Sequence, residues 1–229
     1  MSLPLFDTIL DIFLAIDWSD IGLATVETLT MVGGSLVFTV LFGLPLGIVL
    51  FLTGPRQPLA HARLYSFLSL IVNLLRSMPF VILLILMIPV TVALVGTSIG
   101  VPGAIPPLVV GATPFFARLV ENVLREVDRG IIEASQSMGA SLPQIIFGAV
   151  LPEAFPGLLA ATTVTAIALV SYAAMSGVIG GGGLGDLAIR FGYQRFQTDV
   201  MFVTVAILLI LVQVLQVFGD RLVQRFTRS

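Results

Sequence analysis

A run of six residues, Gly180 to Gly185, reads GGGGLG and matches the pattern G-x-G-x-x-G. Such a turn cradles a dinucleotide pyrophosphate only when it joins a strand to a helix. Here it follows the long apolar run "ATTVTAIALVSYAAMSGVI". Asp186 stands where a P-loop would need Lys. The run therefore predicts a flexible or close-packed turn, and no nucleotide site. Other reactive residue types are scarce. The chain has no Cys, which removes disulfides, thiolate catalysis and Cys-ligated metals. A single histidine, His61, argues against a His metal cluster or a Ser-His-Asp triad. Arg76 is the one charge well inside an apolar run, and an intramembrane charge is a functional candidate by default. It lies about eleven residues into its predicted helix, which favours snorkelling or a structural tie to a backbone carbonyl over substrate contact.

Composition sets the solvent in which these residues must work. Of 229 residues, 57% are hydrophobic and only 10% are charged. Soluble domains are about one quarter charged. The chain is placed among membrane proteins before any motif is considered. Its net charge of −2 provides no basic field for nucleic acid. The first twenty residues, "MSLPLFDTILDIFLAIDWSD", are apolar yet carry Asp7, Asp11, Asp17 and Asp20 with no basic residue. They lack the positive start of a signal peptide. They are expected to form an amphipathic arm (1–20) on the membrane surface, with Trp18 near the headgroups.

The rest, 21–229, is expected to be an all-α polytopic membrane domain of five transmembrane helices. The first span runs from about Ile21 to Leu52, with Glu27 at its start. Gly43 and Gly47 there form a small-xxx-small pair around Pro45. The second runs from about Leu64 to Val95. Ser77 to Ala117 holds no charge at all, and its 41 residues would make a helix of roughly 60 Å, too long for one crossing. The break is expected within "VGTSIGVPGAIPP", Val95 to Pro107, which has three Gly and three Pro. A third span then starts near Pro107. The fourth lies between Ala154 and Ile179, and the fifth between Val200 and Gly219.

Arginine placement orients the bundle. Eight Arg (56, 63, 118, 125, 129, 221, 225 and 228) fall on one side of the predicted topology and two (190 and 195) on the other. The positive-inside rule predicts an outer N-terminus and a cytoplasmic C-terminus. It also places residues 118–153 in the cytoplasm.

Within that segment, "RGIIEASQSMGASLPQIIFGAVLPEAFP" carries the punctuation of two short helices. Ile131, Ile132, Ser135 and Met138 share a face at helical spacing. Gly139 suits a helix stop. Ser141-Leu142-Pro143-Gln144 has the capping-box form, and Leu142, Ile145, Ile146 and Ala149 would line the second helix. Pro152 would end it. An amphipathic loop resting on headgroups is the alternative.

Glu133-Ala134-Ser135, Gly139 and Leu151-Pro152 have the spacing of a known motif. They resemble the signature of ABC-importer permease subunits: Glu-Ala-Ala, three residues, Gly, nine residues, Ile, one residue, Leu-Pro. Ser135 and Ala149 depart from it. "IVNLLRSMPFVILLILMIPVT", "PFFARLVENVL" and "SYAAMSGVIGGGGLGDLA" extend the likeness to permeases of bacterial methionine importers. The similarity spans roughly residues 20–228.

The resemblance implies a homodimer in the bacterial inner membrane. Each subunit would dock a coupling segment, about 128–152, on one of two ATP-binding subunits. Those subunits, not this chain, would hold ATP and Mg. A periplasmic or lipid-anchored binding protein would deliver methionine, with D-methionine and derivatives included. The chain itself would not be an enzyme. The coupling contact would fall on Glu133, Ala134, Ser135, Met138, Gly139 and Ala140. Ser171, Tyr172 and Met175 are candidates for the translocation path, Met175 as an apolar gate or else a packed core residue. The competing classes are a permease for another amino acid, an ion-coupled secondary transporter, and a membrane-bound enzyme. The last two would need a buried midplane carboxylate with internal repeats, or clustered catalytic groups, and neither is evident in the sequence.

Overall fold

A computed structural model describes residues 17–227. The arm's first sixteen residues and Arg228 lie outside the described residues. Those described are all helical or in turns. Helix α1 spans Trp18–Thr53, α2 Ala62–Ser77, α3 Phe80–Val95 and α4 Gly100–Glu126. Two short helices, α5 (Arg129–Ser137) and α6 (Leu142–Ile145), precede α7 (Leu151–Ser176). A five-residue helix, α8 (Gly183–Leu187), and the long α9 (Thr198–Thr227) complete the chain. Among the described residues, four helical stretches are long and apolar enough to cross a membrane, and the bent pair α2–α3 makes a fifth if counted as one span.

Local chemistry explains most boundaries. Asp17 Oδ1 accepts from the Ser19 amide at 3.0 Å and opens α1. The expected boundary at residue 21 therefore falls inside a continuous helix, and Glu27 sits ten residues into it rather than at its start. His61 Nδ1 accepts from the Leu64 amide at 3.1 Å, so the single histidine caps α2.

The second span is not straight. It breaks at Met78–Pro79, and the axes of α2 and α3 diverge by 107°. A residue before proline is driven out of the helical region, and Met78 is extended at ψ 132°. The third span also departs from expectation. It begins at Gly100 rather than near Pro107 and runs through Pro106, Pro107 and Pro114. Neighbouring helices allow prolines inside a membrane helix that would break an isolated one. The interruption shrinks to four residues, with Gly96 left-handed at φ 79°. Arg118 and Arg125 lie within α4 and not in a loop.

The α1–α4 pair forms the spine. A Cβ on Gly47 would stand 2.6 Å from Val120 Cβ, and one on Gly43 would stand 2.8 Å from Phe116 Cδ1. Both glycines let α4 lie against α1, as expected from their spacing. Toward the Gly-rich end, Met31, Val32, Phe80, Leu108 and Leu169 build one buried cluster. Toward the α5 end, Phe51, Phe116, Val120, Leu124 and Val127 build another, which also buries Ile132, Ile145, Ile146 and Val150.

Candidate functional site

The segment expected to contact an ATPase is a short helix clamped to the bundle by one edge. Asp128 Oδ1 accepts from the Gly130 amide at 2.6 Å and starts α5. Its end is a Schellman turn: the Ala140 amide donates to Ser135 O at 3.1 Å and the Gly139 amide to Gln136 O at 2.9 Å. Gly139 takes φ 77°, as its sequence position predicts. Gln144 Oε1 accepts from the Ser141 amide at 2.8 Å, which is the return half of the predicted capping box.

Ile132 is buried against the cluster around Phe51 and Val127, and burial of such a side chain stabilises by about 1.5–3 kcal/mol. Glu133, Ala134, Gln136, Ser137 and Gly139 are exposed, while Ser135 and Ala140 are half-buried. Met138 does not share the inner face with Ile132. It caps the helix and is 81% exposed. A projecting strip thus carries Glu133, Ala134, Met138 and Gly139. Beside it, Arg56, Arg129, Glu133 and Gln136 line a shallow pocket of about 240 Å³.

The second predicted short helix is not separate. After α6 the chain makes a five-residue π turn, Ile146–Val150, and continues straight into α7. The Leu151 amide donates to Ile146 O, five residues back. Pro152 therefore does not end a helix; it follows the π turn within one continuous helix, where the i→i−4 ladder is already offset. The span and the surface helix are one rigid continuation.

The same end holds a buried ion cluster that residue types alone did not reveal. Glu121 is 1% exposed. Its carboxylate accepts from Arg118 Nη1 and Arg125 Nη2, each at 2.6 Å. Arg118 Nη2 also donates to Ser69 Oγ at 2.8 Å and Asn73 Oδ1 at 3.0 Å, while Arg125 Nη2 donates to Tyr65 Oη at 3.1 Å. These bonds tie α2 to α4. The spacing R-x-x-E-x-x-x-R, which puts three charges on one helix face, was the available signal.

At the opposite end, the glycine run is a close-packed turn. Glu27 Oε2 accepts from the Gly183 amide at 2.7 Å, and Thr28 Oγ1 accepts from the Leu184 amide at 2.9 Å. Gly180, Gly182 and Gly183 have φ between 74° and 82°. A Cβ on Gly185 would collide with the Ala174 carbonyl. The run packs against protein, which leaves no phosphate cradle there. Arg190, one of the two arginines that oppose the charge bias, pairs with Asp186 at 2.6 Å.

On α7, Ser171 and Met175 are exposed along one stripe, Met175 by 43%. Met175 is therefore not a packed core residue of this subunit. Tyr172 turns the other way and stacks on Phe80 with centroids 4.4 Å apart. Arg76 sits in the last turn of α2, its Cζ 6.0 Å from the Phe115 ring centroid. Among the described residues it makes no hydrogen bond to a carbonyl, so the expected structural tie is not found there. Also among the described residues, no group of three or more metal-binding side chains comes together.

The described residues form an all-helical bundle with the capped surface helix α5 at one end and α6 continuous with a span. The family profile for the inner membrane component of binding-protein-dependent transport systems matches residues 43–228, and the chain belongs to that family. It is 48% identical over 202 residues to the probable D-methionine transport system permease protein MetI of Vibrio cholerae, covering 88% of this chain and 90% of that one. It is 47% identical over 205 residues to the methionine import system permease protein MetP of Bacillus subtilis, covering 90% and 92%. An inward-facing structure of the MetNI methionine ABC transporter superposes with TM-score 0.89 at 46% identity, covering 99% of both chains. As a permease component, the chain is not itself catalytic.

Proposed function

We propose that this chain is the membrane-spanning permease of an ABC importer for methionine, D-methionine and derivatives included, in the bacterial inner membrane. Two copies form the pathway. Each presents the α5 strip, with Glu133, Ala134, Ser135, Met138, Gly139 and Ala140, to one of two ATPase subunits that bind ATP and Mg. A periplasmic or lipid-anchored binding protein delivers the amino acid to the Gly-rich end. The N-terminus is outside and the C-terminus is cytoplasmic.

The observation that carries this reading is full-length likeness to an inward-facing methionine transporter, combined with an α5 strip that is exposed yet anchored. Closure of the ATPase pair would move α5. Through Ile132, Ile145 and Ile146 the motion would reach α4 and, through the π turn, α7. Alternating access is then a shift between two packings that ATP and the loaded binding protein favour differently. Ser171 and Met175 border the route, and Met175 from both copies forms an apolar gate.

Uptake of labelled methionine into proteoliposomes, with ATPase and binding protein supplied, tests the proposal. ATP-dependent accumulation is expected. Accumulation of a different amino acid with none of methionine would overturn the substrate, and uptake driven by an ion gradient without ATP would overturn the class.

A further inference from the structure

We propose that Arg76 is the carboxylate-binding residue of an amino-acid subsite at the bend between α2 and α3. This rests on the reading of the chain as an amino-acid importer and adds a contact along its route. Arg76, exposed in the last turn of α2, differs from three other arginines of the bundle. Arg118 and Arg125 share Glu121, and Arg190 has Asp186. Arg76 has no ion pair and no hydrogen bond among the described residues, only the face of Phe115. A guanidinium stays charged in any protein setting, so it cannot avoid the cost of an apolar surrounding by losing its proton. Exposed and without an acid beside it among the described residues, the Arg76 guanidinium is open to an anion.

The geometry suits one. A cavity of about 110 Å³ opens at Arg76 and is lined also by Met78, Phe80, Phe115 and Tyr172. The planar fork of a guanidinium matches a carboxylate with two parallel hydrogen bonds. Tyr172, stacked on the Phe80 ring, lines the cavity as well, and the aromatic walls suit an apolar side chain. The break in the helix supplies the other half of a zwitterion site. Pro79 has no N–H and Phe80 already belongs to α3, so beyond Leu75 O, which accepts from the Met78 amide at 3.4 Å, the Arg76 and Ser77 carbonyls have no backbone donor among the described residues. Such ends inside a membrane attract cations, here the α-ammonium. From α7 the cavity takes Tyr172. The ligand class is a zwitterionic α-amino acid with an apolar side chain.

The test uses the permease–ATPase complex in nanodiscs without a binding protein, so that only the permease can hold the amino acid. Wild type, R76K, R76Q and Y172F are photolabelled with photo-methionine, and labelled peptides are read by mass spectrometry. Label is expected at the α2–α3 bend, suppressed by excess methionine and not by methioninol, which lacks the carboxylate. R76Q should lose label by about tenfold or more, and R76K should retain an intermediate level. Equal label in wild type and R76Q, or equal competition by methioninol, overturns the proposal. Label that follows the anionic-lipid fraction in place of the competitor's carboxylate also overturns it, and assigns Arg76 to a lipid phosphate. Should R76Q fail to assemble, the methioninol comparison on wild type still decides. A second arm measures uptake in proteoliposomes with the ATPase and binding protein supplied: if wild type imports no amino acid there, the importer reading falls as well. If wild type imports while R76Q matches its KM and kcat, the subsite alone falls.

Discussion

The Glu121 carboxylate, almost wholly buried in α4, is held 2.6 Å from Arg118 Nη1 one turn earlier on the same helix. Arg118 in turn reaches Ser69 and Asn73 on α2. The acid therefore fixes the helix that leads into the bend at Pro79. Removal of one partner from a buried pair costs about 3–5 kcal/mol, because the remaining charge is stranded. Glu121→Gln leaves two arginines without a counter-charge. Arg125 is part-exposed and water will screen some of the loss, so the lower part of that range is expected. Unfolding in SDS, followed by circular dichroism, should show it. Wild-type stability in Glu121→Gln would mean that the cluster is not structural.

Two glycines of α1 should respond in opposite ways. A Cβ on Gly33 meets nothing within 4 Å, and Ala there should be neutral or stabilise by up to about 1 kcal/mol through helix propensity. A Cβ on Gly47 would stand 2.7 Å from the Ala117 carbonyl, and backbone cannot move aside cheaply. Gly47→Ala should separate α1 from α4 and cost about 1–3 kcal/mol, the range for overpacking. Thermal denaturation of the two variants side by side checks the contrast.

Gly139→Ala isolates the surface helix. The position is left-handed with open space around it, so the cost is local strain of about 1–2 kcal/mol with no clash. The variant should fold yet carry a distorted Schellman turn, and ATP-driven uptake should fall further than membrane expression. Met138→Ala, at a residue 81% exposed, should leave stability within about 0.5 kcal/mol while weakening co-purification with the ATPase. Retention of full ATPase binding in both variants would remove α5 as the docking element.

Met175→Ala removes a side chain that is 43% exposed, so little packing is lost within the subunit. The expected result is a dimer of normal stability that leaks methionine without ATP. Efflux from preloaded proteoliposomes measures it directly. A tight membrane in this variant would return Met175 to an ordinary packing role.

Several elements were legible before any coordinates. The stop at Gly139 and the cap at Gln144 depend on residues within a few positions of one another, and local hydrogen bonding decides them. The Gly43–Gly47 pair was legible because a small-xxx-small stripe allows close approach whichever helix arrives. Elements decided by their neighbours were read less well. Pro106 and Pro107 looked like breakers, but both lie inside α4, which packs against α1, α2, α3 and α7. Pro152 looked like an end, but the π turn before it supplies the needed geometry. The chain at Pro79 drew no notice, and there the helix turns through 107°.

Membrane class, an all-helical build, the surface helix and the family resemblance follow from composition, periodicity and short-range spacing, because each depends on residues close together in the chain. Three features needed the assembled fold: the burial of Glu121 between two arginines, the clasp of Glu27 on the Gly183 amide across 156 positions, and the isolation of Arg76 beside Tyr172. Whether a charge finds a partner is settled by side chains that arrive from distant helices, and their arrival depends on where each helix bends.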